Sequence, residues 1–140
     1  MKRILSVIAL AALALSISSC HLFVLSETPP ASVTDPSEIA RYKKAVAGDP
    51  SALFTVGRLF DMGANGYPKS PARAHLCFRK ASDAGYGPAS FELCRDAFHR
   101  GDYHMAIQYG ELAISQGNDS AGAKALVGFA YAMRRKQNGF

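Results

Sequence analysis

Chemistry in this chain would have to come from four histidines, three cysteines and eleven carboxylates. Their spacing offers little catalysis. His99 and His104 stand five residues apart across Gly101, while His21 and His75 lie elsewhere. A metal site on a helix needs ligands at helical spacing with a Cys or carboxylate beside them, so no metal is expected. The acidic residues are scattered singly, not set as the flanking pair that acid–base hydrolysis uses. No phosphate loop and no nucleophile elbow occur. The chain is therefore expected to be neither an enzyme nor a holder of a redox or nucleotide cofactor, and no small-molecule substrate is evident.

Binding chemistry is better represented. Phe54, Arg58 and Asp61 fall at i, i+4 and i+7, one side of a helix. Phe91, Arg95 and Phe98 occupy the same places 37 residues later, with His99 beside them. An aromatic ring supplies apolar contact and a guanidinium supplies a forked grip on carboxylate, a combination enriched at protein interfaces. This stripe is the expected contact surface. The competing account has each Phe packed on a neighbouring helix and each Arg solvated.

These residues need helices to position them, and the pattern supplies six. Ser37 is the expected N-cap of a first helix, Glu38 to Val46, stopped by Gly48-Asp49-Pro50. Helices are then expected from Ser51 to Met62, from Ala72 to Ala84, onward to about His99, from Tyr103 to Gln116, and from Ala121 to about Lys136. No stretch alternates as a strand bounded by hairpin signals. The stretch from Ala45 to Ala89 organises the rest. Ala74, Ala81 and Gly85 are spaced seven then four, and Ala106, Ala113 and Gly117 repeat that spacing. Ala123, Val127, Gly128 and Tyr131 repeat the spacing of Ala52, Val56, Gly57 and Phe60. Small residues at fixed intervals let helices pack closely, and a repeated pair can stack on its copy. An all-α fold of antiparallel helix pairs is expected over residues 37–140.

The first residues differ in kind. Met1-Lys2-Arg3 is a positive start, and Ile4 to Leu15 is apolar apart from Ser6. That run is short of the roughly 20 residues that span a bilayer, and has the size of a signal-peptide core. Without Lys2 and Arg3 the sixteen basic residues become 14 against 11 acidic ones, a net charge of +3. Such an excess does not argue for nucleic acid. Arg134-Arg135-Lys136 suits a helix C-terminus.

Ile17-Ser18-Ser19-Cys20 resembles the lipobox of bacterial lipoproteins: an aliphatic residue, two small ones, then the Cys that is diacylated. The resemblance implies a signal peptide over 1–19 and a diacylglycerol-modified Cys20 as the mature N-terminus, anchored facing the periplasm. Lipid chains gain about 0.8 kcal/mol per buried CH₂, and several anchor durably. His21 stands where an Asp would imply inner-membrane retention, which points to the outer membrane. Residues 20–36 carry Pro29, Pro30 and Pro36 and are expected to form a flexible tether.

The run from Phe60 through Gly63, Gly66, Pro68, Ala72, Ala74, Phe78, Lys80 and Ala81 to Gly85 resembles the Sel-like repeat, a relative of the tetratricopeptide repeat. The next unit is closer to a plain tetratricopeptide unit: Gly101 to Ala106 is shorter than Gly63 to Ala74, and Cys94 stands in the place of Gly57. The resemblance implies a short α-α solenoid whose concave face, lined by the first helix of each pair, binds proteins. On that face would lie Phe54, Arg58, Asp61, Phe91, Arg95, Phe98 and His99. Some Sel-like proteins staple neighbouring helices with disulfides; Cys77 and Cys94, eight residues before Gly85 and nine after it, are either such a bridge or two buried thiols. The expected role is a lipid-anchored adaptor for another envelope protein, such as part of an assembly or secretion machine. The alternatives are a structural subunit stacked end-to-end on another helical protein, and an envelope hydrolase or its activator.

Overall fold

The computed structural model describes residues 25–139. The expected signal peptide, Cys20 and the first part of the tether lie outside them. Among the described residues the chain is all-helical, with six helices and no strand. They are α1 (Pro36–Val46), α2 (Pro50–Met62), α3 (Pro71–Asp83), α4 (Gly87–His99), α5 (Tyr103–Ser115) and α6 (Ala121–Gln137). Each packs on its neighbours in chain order, and α4 also touches α6. No described helix is long and apolar enough to cross a membrane.

The helix starts follow from proline and acid. Pro36, Pro50 and Pro71 each open a helix, and Pro88 sits in the first turn of α4. Proline fits there because its missing N–H would have had no partner and its φ is already helical. The sequence reading leaves these prolines in the preceding turns, so its helices start a residue or two late. Its N-cap for α1 is also corrected. Asp35, not Ser37, caps that helix, accepting from the amides of Ser37 and Glu38. Asp49, Ser70, Asp102 and Ser120 cap α2, α3, α5 and α6 in the same way. Gly63 ends α2 in the left-handed region at φ 69°, its amide donating to the Leu59 carbonyl.

Close packing is set by two glycines on opposite members of two helix pairs. A Cβ on Gly57 of α2 would stand 2.8 Å from the Phe78 ring and 3.0 Å from Cys77 Cβ, both on α3. In the α4–α5 pair the small and larger partners change sides. Cys94 holds the register of Gly57, and Gly110 holds that of Phe78. A Cβ on Gly110 would stand 3.1 Å from Cys94 Sγ and 2.3 Å from Val127 Cγ2. The volume lost on one helix is supplied by the other.

A polar lock crosses three helices inside this packing. Ser90 donates to Gln116 Oε1, so the 2.6 Å contact between the Ser82 and Ser90 hydroxyls has Ser82 as donor. Gln116 Nε2 returns a bond to the Ser82 carbonyl at 2.9 Å. Both serines are fully buried, and each polar atom has a partner, as burial demands.

Residues 25–35 are not a free spacer. Leu25 and Val33 are buried in the main core cluster with Tyr42, Phe60 and Tyr67. Tyr42 Oη donates to the Ser26 carbonyl at 3.0 Å, and Ser32 Oγ donates to the Gly66 carbonyl at 2.5 Å. Gly66 sits at φ 84°, and a Cβ there would come within 2.2 Å of the Ser32 carbonyl oxygen. Only glycine lets the strap lie this close. The expected tether is therefore corrected over its described part. Proline keeps this stretch out of a helix, but an extended chain can still bury two side chains.

Candidate functional site

An open groove of about 600 Å³ runs between the end of α2, α3 and α4. Its apolar floor is Phe78, with Ala74 and Pro71 alongside. Phe78 and Ala74 are four residues apart on α3, and His75 rises beside them. One face of α4 supplies the charged wall: Glu92, Arg95, Asp96, His99 and Arg100, at i, i+3, i+4, i+7 and i+8. Asp61 comes from the last turn of α2.

The wall is cross-paired. Arg95 meets Glu92 at 3.0 Å within α4, and Arg100, the C-cap of α4, meets Asp96 at 3.3 Å. His75 Nδ1 lies 3.5 Å from Asp96 Oδ2. Partial burial pushes the His75 pKa below its ordinary value of 6.5. The Asp96 carboxylate opposes that shift, and Arg100 and Arg79 reinforce it. At neutral pH the imidazole is thus mainly uncharged. Arg95 keeps half its side-chain surface in solvent, and an ion pair so exposed is worth no more than about 1 kcal/mol. Its guanidinium can turn to a carboxylate on an incoming chain at little cost.

The structure divides the expected stripe. Asp61, Arg95 and His99 come together in the groove. Arg58 is exposed on α2 and is not part of the groove wall. Phe54 is half-buried, its ring 5.9 Å from Phe78 and 5.4 Å from Tyr86. Phe98 packs 5.4 Å from Tyr103 and joins the second core cluster. Phe91 is half-buried and also outside the groove wall. For Phe54 and Phe98, packing between helices is the observed role. His75, Phe78, Glu92, Asp96 and Arg100 escape the sequence reading. The spacing of the charged residues on α4 was the available signal, one helical face over from the phenylalanines.

Cys77 and Cys94 are separate buried thiols. Cys77 faces the α2 glycine and Cys94 the α5 glycine, in different core clusters, so the two sulfurs serve different helix contacts. Burial pushes their pKa values to about 12 and about 11, which makes both poor nucleophiles. Glu38 is a buried carboxylate that the sequence reading leaves unremarked. Its Oε1 accepts from Arg41 and from Asn65 Nδ2, and Tyr67 Oη donates to its main-chain carbonyl. It ties α1 to the loop after α2. No group of three or more His, Cys, Asp or Glu side chains among the described residues is placed to hold a metal ion. Compared with protein-family models, with curated proteins and with solved structures, the chain finds no match in any of the three.

Proposed function

We propose that this protein is a binding protein of a bacterial cell envelope, lipid-anchored at Cys20 and facing the periplasm, that holds a segment of another protein in the groove between α2, α3 and α4. In this reading the helices form a short solenoid of antiparallel, Sel-like pairs. Packing of each helix on its neighbours in chain order supports the solenoid. The lipobox-like Ile17-Ser18-Ser19-Cys20 supports the anchor, which would concentrate the groove near envelope partners so that modest affinity suffices.

The groove itself carries the proposal. It joins an apolar floor, Phe78, to an exposed guanidinium, Arg95, in a volume that accepts a few side chains. A segment with one apolar residue on Phe78 and a carboxylate at Arg95 fits that chemistry. The test is crosslinking and co-purification from envelopes with the wild type, Arg95→Glu and Arg58→Glu. The wild type and Arg58→Glu should capture the same protein, and Arg95→Glu should bind it at least about tenfold more weakly while keeping its helical content. Equal capture by a folded Arg95→Glu variant would remove the groove as the site.

A further inference from the structure

The last helix presents a second surface that owes nothing to the groove. Ala123, Val127 and Ala130 of α6 face the core. Ala125, Gly128, Phe129 and Ala132 lie on the opposite side, all exposed, and Phe129 is 63% exposed. A Cβ built on Gly128 meets nothing within 4 Å.

Two internal correspondences say what fits there. Ala123, Val127, Gly128 and Tyr131 keep the register of Ala52, Val56, Gly57 and Phe60 on α2, so Gly128 stands where α2 carries its helix-receiving glycine. In turn, Ala125, Gly128, Phe129 and Ala132 keep the spacing of Ala74, Cys77, Phe78 and Ala81 on α3, the helix that α2 receives. One exposed face thus carries both halves of the α2–α3 contact: the glycine that accepts a ring, and the ring. A helix cannot satisfy both on itself. Two copies can, because a two-fold interface uses the same patch from each side.

We propose that the outward face of α6 is the interface of a symmetric dimer of this chain, with the two α6 helices antiparallel. The arithmetic of the register suits this arrangement. With the axis between Gly128 and Phe129, Gly128 of one copy is level with Phe129 of the other, and Ala125 with Ala132. Each ring then lies over the opposite glycine as Phe78 lies over Gly57. Charge selects the same direction. Arg134, Arg135 and Lys136 crowd the last turn of α6. An antiparallel pair sets the two Lys136 positions about 22 Å apart along the helices at 1.5 Å per residue, well beyond a Debye length of about 8 Å. A parallel pair would place the two clusters side by side.

The experiment is sedimentation equilibrium of the full-length chain in a density-matched non-ionic detergent. The wild type should be dimeric, and Phe129→Glu should be monomeric with unchanged far-ultraviolet circular dichroism, since the ring is exposed in the single chain. Register is read by mixing Ala125→Cys with Ala132→Cys chains under mild oxidation and mapping linked peptides. The 125–132 link should dominate, because position 125 of one copy would stand about 10 Å along the helices from position 125 of the other. A wild type that stays monomeric up to about 100 μM, a dimer that survives Phe129→Glu, or a dominant 125–125 or 132–132 link would each overturn the proposal.

Discussion

His75 is a residue through which pH reaches the groove. Its folded-state pKa lies below 6.5 because partial burial outweighs the nearby Asp96 carboxylate. Between those two values the unfolded chain binds more protons than the folded one, so stability rises with pH across that interval. The contribution is fully present above about pH 6.5 and is lost as pH falls through the folded value. An NMR titration of the imidazole C–H signals should give a midpoint below 6.5. Asp96→Asn should lower it further, since the carboxylate is what supports the imidazolium. An upward shift in that variant would mean that the 3.5 Å contact to Asp96 does not shape the site.

At the scale of elements, the helix pairs depend on where a small residue meets a larger one. Gly110→Ala puts a methyl 2.3 Å from Val127 Cγ2. Valine is stiff about χ1, so the expected cost is about 1–3 kcal/mol by urea denaturation. Val127→Ala destabilises on its own by leaving a void. The double variant should be less destabilised than the sum by about 0.5 kcal/mol or more, and strict additivity would place the strain elsewhere. Much of this level was legible in the sequence. Apolar period, Gly stops and capping residues located all six helices, and the repeated Ala spacing identified faces that pack. The side chosen by the aromatic rings was not legible. Phe54 on α2 and Phe98 on α4 each fit a helical period whether they face a groove or a neighbouring helix, and only the tertiary contact with Phe78 or Tyr103 decides. The cysteines failed to resolve for a related reason: similar distance from Gly85 sets their height along the helices but not their direction. Arg95 and His99 were found because they share α4 with the phenylalanines, one face away.

At the scale of the whole molecule, the two ends of the helix row are finished differently. The α1 end is overlaid by the strap of residues 25–35, which lies on α1 and on the loop after α2, whereas the outward face of α6 is bare among the described residues. The strap was invisible in the sequence because its contacts are non-local: Ser32 meets Gly66 across 34 positions, and Ser26 meets Tyr42 across 16. Three prolines announce an extended chain, and nothing in local pattern separates an extended chain that packs from one that does not. Energetics does separate them. Leu25 is 5% exposed and Val33 4%, so Leu25→Ala should cost about 2 kcal/mol or more by lost burial and the cavity left behind. Met62 provides the comparison within the same molecule. It is 56% exposed, and Met62→Ala should stay within about 0.5 kcal/mol of wild type. Urea midpoints of the two variants therefore discriminate directly. A spacer predicts that both leave the midpoint unchanged, and a strap predicts that only Leu25→Ala lowers it. Because the strap meets the Gly66 loop that joins α2 to α3, loss of Leu25 should also loosen the Asn65–Glu38 tie to α1, and hydrogen exchange at the amides of residues 63–70 should quicken with the fall in stability. Faster exchange there with an unchanged midpoint would instead mark the strap as a local clasp, holding the loop without contributing to the stability of the core.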